Sequence, residues 1–80
     1  MRNKNINIGE DLTKLAGEYI DSITLANELE SAGYETKIIN LTSSMMLSID
    51  EVKAKKGDKR YNIVVEEREG GAMVEDVKPA

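Results

Sequence analysis

The stretch VKAKKGDKRYNIV, residues 52 to 64, decides which topology the chain adopts. Its central dipeptide, Gly57-Asp58, fits a two-residue hairpin turn of type II′, in which glycine comes first. Such a turn pairs the flanking residues across two antiparallel strands, placing Val52 opposite Ile63 and Ala54 opposite Tyr61. This interpretation predicts a β-hairpin centred on the turn.

A helix competes for the same residues. In SIDEVKAKKG, residues 48 to 57, Ser48 fits an N-cap, Glu51 completes a capping box, lysines occupy the last turn and Gly57 follows. Asp, Glu, Ala and Lys are also poor strand formers. The specific turn and its cross-strand pairs favour the hairpin, which gives an α+β domain, whereas the helix gives a βαβαβ two-layer fold.

Residues 10 to 32 show the spacing of one long amphipathic helix. Acidic residues suit its N-terminus, and Gly33 suits a left-handed C-cap. At about 1.5 Å per residue the helix would be about 35 Å long. The apolar residues that recur at steps of three and four are Leu12, Leu15, Ala16, Tyr19, Ile20, Ile23, Ala26 and Leu29.

Strands are predicted on both sides of the ambiguous stretch, in YETKIINL (residues 34 to 41) and RYNIVVEERE (60 to 69), with a short one in KNINI (4 to 8). We therefore expect residues 1–69 to form a single α+β domain, in which the long helix packs on a small, mostly antiparallel sheet of three to four strands. The paired glycines at 70 and 71 predict a flexible C-terminal tail over residues 70–80.

The size of the chain favours association. Eighty residues with an apolar fraction of 40% and neither Phe nor Trp build a core with little stability to spare, so we expect a homodimer. The N-terminus lacks the apolar run of a signal peptide, and no segment is long and apolar enough to span a membrane. These features predict a cytoplasmic protein.

The residue types exclude most catalytic chemistry. There is no histidine and no cysteine, which removes the commonest general base and the usual transition-metal ligands. Neither a phosphate-binding loop nor a dinucleotide fingerprint is present. Adjacent carboxylates in a strand point to opposite faces and do not form a shared acid/base site. We expect no enzyme activity, no cofactor and no metal.

Charge indicates the class of partner. The chain carries 15 acidic and 11 basic residues, a net charge of −4, which disfavours direct contact with nucleic acid or anionic lipid and favours a basic protein. The acidic residues concentrate in the predicted long helix and in the last predicted strand with its tail. The predicted partner-binding residues are Glu10, Asp11, Glu18, Asp21, Leu25, Glu28, Glu66 and Glu67, with Leu25 exposed among carboxylates on the polar side of the helix.

The stretch GEDLTKLAGEYIDSITLANELESAGYE, residues 9 to 35, resembles the acidic helices of small phage-encoded DNA-mimic proteins, which inhibit host nucleic-acid-binding proteins such as the histone-like HU. Carboxylates one helical turn apart lie about 5 to 6 Å from each other, close to the spacing of phosphates along a nucleic-acid strand. The resemblance implies a partner that binds DNA and is inhibited by imitation of its phosphate charge.

A different class of function fits the same composition. A small α/β regulatory or ligand-binding module would use a pocket between helix and sheet, lined by Met45, Met46 and Tyr61.

Overall fold

The computed structural model describes residues 8–80, and the predicted strand at residues 4 to 8 falls almost wholly outside this range. A single four-stranded antiparallel sheet, in the order β1-β2-β3-β4, is covered on one face by one α-helix. This arrangement confirms the α+β class. The elements are a 3₁₀ helix at Leu12–Leu15, helix α1 at Ser22–Ser31, and strands β1 at Glu35–Ser43, β2 at Leu47–Lys56, β3 at Lys59–Arg68 and β4 at Gly71–Pro79.

The hairpin predicted from residues 52 to 64 is confirmed. Strands β2 and β3 are antiparallel, with Val52 opposite Ile63 and Ala54 opposite Tyr61. Gly57 has φ 61°, and among the described residues no residue other than glycine has a positive φ. A single positive φ at the first turn position is the geometry of type II′. The alternative βαβαβ fold is wrong, because residues 47 to 56 are a strand.

The predicted long helix is wrong in its length. The chain forms a short 3₁₀ helix, leaves helical geometry at Ala16, and begins α1 only at Ser22. Gly17 lies between them with φ 93°, and its amide donates to the Val74 carbonyl oxygen at 2.8 Å. A glycine adopts this conformation without the strain that a Cβ would cause. Helix α1 is therefore about 15 Å long and not 35 Å.

Local capping fixes both ends of α1. Asp21 is the N-cap, and its carboxylate accepts from the Thr24 amide at 3.2 Å. At the other end Gly33 has φ 98° and donates to the Glu30 carbonyl, while the Tyr34 amide donates to the Leu29 carbonyl. These two bonds form a Schellman motif, so the predicted role of Gly33 is confirmed.

Because α1 starts anew at Ser22, its buried side differs from the predicted one. Leu25, which we expected to be exposed, is 0% exposed, and it packs in the core with Ala26 and Leu29. Tyr19 and Ile23, which we expected in the core, are 73% and 65% exposed. The break at Gly17 separates the two apolar patterns, so each segment sets its own helical phase.

The prediction of a flexible tail over residues 70–80 is wrong. Residues 71 to 79 form β4, which pairs with β3 and places Val74 and Val77 in the core. The two valines are three residues apart because the pairing shifts register between Val64 and Val65, which leaves Glu75 as an extra residue in β4. This bulge hides the alternation that normally reveals a strand.

The core lies between the helical segments and one face of the sheet. Its strand residues alternate along β2 and β3, and across the bulge of β4 they stay on the same face, so the other face of the sheet is uncovered within the described part of the chain. None of the helices in residues 8–80 is long and apolar enough to cross a membrane. The core residues are Leu12, Leu15, Leu25, Ala26, Leu29, Tyr34, Val52, Ala54, Ile63, Val65, Val74 and Val77.

Candidate partner-binding surface

The segment of residues 10 to 32 is strongly acidic and packs on one face of the sheet. It contains six carboxylates and one lysine, a net charge of −5. The expected concentration of acidic residues on one part of the molecule therefore persists in the fold. The expected stripe along a single helix does not form, because residues 16 to 21 are not helical.

Two predicted partner-binding residues have structural roles. Asp11 caps the 3₁₀ helix and accepts from the amide and the hydroxyl of Thr13, at 3.1 and 2.6 Å. Asp21 caps α1 in the same way, through Thr24. The hydrogen bonds from the Thr13 side chain and then from its amide lower the pKa of Asp11. Hydrogen bonding by Thr24 lowers the pKa of Asp21. Both carboxylates are thereby held in the charged form.

The other predicted residues separate into different environments. Leu25 is buried and is removed from the surface. Glu10 is exposed and pairs with Lys59 at 3.8 Å, while Glu28 is half-buried on α1. Glu18 is half-buried next to Tyr19, and its carbonyl accepts from the Val74 amide at 2.8 Å.

Tyr19 is an exposed aromatic side chain that the fold holds in place. The two residues before it are joined to β4 by a pair of backbone hydrogen bonds, from Gly17 to Val74 and from Val74 to Glu18, each 2.8 Å. Asp21, two residues after it, is fixed as the N-cap of α1. A tyrosine on a backbone tied at both ends loses little conformational freedom on binding a partner.

Two adjoining grooves share the Tyr19 side chain and the turn between β3 and β4. One groove, of about 570 Å³, includes Asp21 and Glu67, and the other, of about 450 Å³, includes Glu66 and Glu75. We call this surface the Tyr19 site. It consists of Tyr19, Asp21, Glu66, Glu67, Arg68, Glu75 and the turn glycines Gly70 and Gly71, and it carries four carboxylates and one guanidinium.

Within the Tyr19 site, Glu66 and Glu75 lie close enough to share a hydrogen bond. Arg68 donates to Glu66 Oε2 from Nη2 at 2.6 Å and from Nε at 3.0 Å. Hydrogen bonding by Arg68 lowers the pKa of Glu66, whereas the hydrogen bond and the charge of Glu66 raise the pKa of Glu75. The site thus already binds one guanidinium and retains a carboxylate that a second cation would stabilise.

Glu67 lies on the other face of β3, beside the start of α1. Its Oε2 accepts from the amide of the buried Ser22 at 3.3 Å, and Ser22 Oγ donates to Asp50 Oδ2 at 2.8 Å. Asn40 donates to the other oxygen of Asp50 at 2.8 Å. This network joins α1 to three strands and fixes the orientation of the Tyr19 site relative to the sheet.

The pocket predicted for a ligand-binding module does not form. Met45 and Met46 are exposed at the turn between β1 and β2. Tyr61 is half-buried against the core, and its hydroxyl donates to the Glu10 carbonyl oxygen at 3.3 Å. The three side chains do not line one cavity, and the space between helix and sheet is filled by core residues.

Sequence reasoning missed Tyr19 because it assigned the residue to the apolar side of a continuous helix. Two local signals mark the break, namely Gly17 inside the pattern and Asp21, an N-cap residue, four positions later. Of the eight predicted residues, the fold brings Asp21, Glu66 and Glu67 together at the Tyr19 site. The remaining five are not among the residues that line the site, although Glu18 directly precedes Tyr19 in the chain.

In residues 8–80 no group of three or more Asp, Glu, His or Cys side chains is arranged to hold a metal ion. No protein-family model, no curated protein and no solved structure matches the chain. The function therefore has to be argued from the geometry of the site.

Proposed function

We propose that this protein is a non-enzymatic interaction module that binds a basic protein partner through the Tyr19 site. The observation that carries the proposal is the 73% exposure of Tyr19 at the boundary of two acidic grooves. Tyrosine is among the residues that contribute most to binding energy at protein interfaces. Its ring attracts a lysine or arginine that lies over its face.

The charges of the site support a cationic partner. Hydrogen bonding with Glu66 and, after it, the charge of Glu66 raise the pKa of Glu75, which opposes its ionisation. An incoming guanidinium or ammonium group removes this repulsion, so part of the binding energy comes from charge that is unbalanced in the free protein. Arg68, bound to Glu66 in a two-bond arrangement, is an intramolecular example of the contact that a partner arginine would make.

The proposed mode of binding differs from imitation of a regular phosphate row. The carboxylates of the Tyr19 site come from a helix cap and from two strands, and not from successive turns of one helix. We therefore place specificity in Tyr19 and in individual cation contacts. A DNA-binding protein remains the partner class that the acidic helix resemblance implies, and competition by duplex DNA for the captured partner tests that narrower idea.

Photo-crosslinking tests the proposal. The aromatic photo-crosslinker benzoylphenylalanine replaces Tyr19 in one bait and the exposed Asn27 of α1 in a control bait, and both are irradiated in a bacterial lysate at low salt. We expect the bait labelled at residue 19 to capture a basic protein, identified by mass spectrometry, with a yield that falls as salt rises. The bait labelled at residue 27 should not capture it.

A matched pair of charge variants completes the experiment. In the bait labelled at residue 19, Asp21→Asn, Glu66→Gln and Glu75→Gln neutralise the site while retaining an N-cap residue, and capture should be lost. Glu30→Gln, Glu35→Gln and Asp58→Asn remove the same charge elsewhere, and capture should persist. Equal capture by both variants, or equal labelling from residues 19 and 27, would contradict the proposed function.

A further inference from the structure

The uncovered face of the sheet has a charge pattern that extends beyond the Tyr19 site, with which it shares Glu66, Arg68 and Glu75. On this face the strand register aligns side chains in rows that cross the sheet. The first two rows from the β2–β3 turn form a basic half. Its members are Glu35, Lys37, Lys53, Lys55, Arg60, Asn62 and Lys78.

The next two rows form an acidic half. Four carboxylates alternate there with half-buried apolar side chains, and only Arg68, at its outer border, is basic. The members of the acidic half are Ile39, Thr42, Ile49, Glu51, Val64, Glu66, Met73, Glu75 and Asp76. A protein of net charge −4 therefore has one sheet face divided into a positive and a negative region.

The charges of the basic half are poorly neutralised within the described chain. Lys53 lies 3.6 Å from the half-buried Glu51, and Lys78 lies 3.8 Å from Asp76; both lysines are exposed, and pairs with an exposed lysine contribute little. Lys37, Lys55 and Arg60 have no carboxylate within 4 Å among residues 8–80. A concavity of about 380 Å³ lies over this half.

We infer that this face is the interface of a homodimer in which two sheets stack face to face, with the two-fold axis running across the strands between the two halves. An axis in this direction reverses the strands, so the basic half of each copy covers the acidic half of the other. An axis along the strands would instead stack like charge on like charge. The division of charge therefore makes the face complementary to itself in one orientation only.

The register gives the contacts next to the axis. Lys53 and Lys78 come to lie over Glu51 and Asp76 of the partner subunit. In the same two rows the aliphatic stem of Lys37 covers Ile39 of the partner subunit, and one row farther from the axis the stem of Lys55 covers Ile49 of the partner subunit. A rotation of about 30° between twisted sheets displaces residues near the axis least, which leaves the central ion pairs within reach.

The area of the face determines how strong we expect the homodimer to be. Four strands at about 4.8 Å spacing and about ten residues at 3.3 Å each give about 600 Å² per copy, or about 1,200 Å² in total. This is at the lower end of specific interfaces, and much of it is charged. We therefore expect a reversible dimer, whose population depends on protein concentration and falls as salt rises.

Charge exchange tests the interface by sedimentation velocity over micromolar to millimolar concentrations. Lys53→Glu with Lys78→Glu, in one protein, and Glu51→Lys with Asp76→Lys, in another, each place like charges across the axis. Each variant alone should dimerise with a dissociation constant raised by about tenfold or more. An equimolar mixture should form a heterodimer, because every opposed pair is again of opposite sign.

The mixture distinguishes the interface from loss of folding, since each variant keeps its own intramolecular repulsions when mixed. Lys14→Glu with Lys59→Glu, which changes the charge by the same amount outside this face, should leave dimerisation unchanged. A wild-type protein that stays monomeric at millimolar concentration and low salt would overturn the inference. So would variants whose mixture does not associate, or variants that dimerise as well alone as the wild type does.

Discussion

At the scale of single residues, the position of the Tyr19 site depends on two local devices. Gly17 takes a positive φ that ends the first helical segment, and Asp21 starts the second one. Both are short-range signals, readable in the sequence, that compete with a continuous apolar period. The prediction of one long helix rests on the apolar spacing of three and four residues. Two separate segments reproduce that spacing by chance over residues 12 to 29.

Asp21→Ala tests the helix cap. Losing the carboxylate should lower the free energy of unfolding by about 1 kcal/mol, whereas Asp21→Asn should cost only a few tenths, because asparagine also caps. Hydrogen bonding by Thr24 lowers the pKa of Asp21, so the stabilisation by its charge exists above the ordinary carboxyl pKa. It is lost as the pH falls through the lowered value in the folded state. Urea denaturation at several pH values measures these differences, and equal stability of both variants would contradict the assignment.

Glu75→Gln tests the carboxylate contact. Glu66 raises the pKa of Glu75, so the folded state favours the protonated form, and stability is lost as the pH rises through the pKa of folded Glu75. The glutamine variant should therefore melt at a higher temperature than the wild type at neutral pH. The difference should vanish well below the ordinary glutamate pKa of 4.5. Glu35→Gln, at an exposed position on another strand, serves as the control, and a variant that melts below the wild type at neutral pH would refute the contact.

At the scale of elements, the sequence predicts hairpins better than helix boundaries. The two-residue turn at Gly57-Asp58 determines which flanking residues pair, so β2, β3 and their register were predictable from local sequence. Strand β4 was not, because its bulge at Glu75 spaces the core valines three residues apart instead of two. Which strands are neighbours, and hence the charge rows on the uncovered face, depends on long-range pairing that no local pattern contains.

Truncation tests the reassignment of residues 70–80 as part of the sheet. A chain that ends after Gly70 loses β4 and with it the buried side chains of Val74 and Val77, each worth about 2 kcal/mol of apolar burial. It also exposes the edge of β3. We expect this protein to be largely unfolded by circular dichroism. A chain that ends after Lys78 should fold, and normal folding of the shorter chain would restore the interpretation of this segment as a tail.

At the scale of the whole molecule, the two proposed binding surfaces adjoin each other and share Glu66 and Glu75. The Tyr19 site lies at the β3–β4 turn, at the end of the sheet opposite the basic half. In a dimer stacked with reversed strands, two Tyr19 sites would lie at opposite ends and allow bivalent binding. Loss of dimerisation would then remove bivalent binding and uncover Glu66 and Glu75, which belong to both surfaces.

The central claim is that cationic groups bind at the Tyr19 site and not over the acidic surface in general. Titration of the isotope-labelled protein with a synthetic arginine-rich peptide, followed by backbone amide NMR at low salt, tests it most directly. We predict that the largest shifts occur at Tyr19, Asp21 and residues 66 to 72, and that Tyr19→Ala weakens them. Shifts of equal size at Glu28 and Glu30 on α1, or shifts that Tyr19→Ala leaves unchanged, would contradict the account.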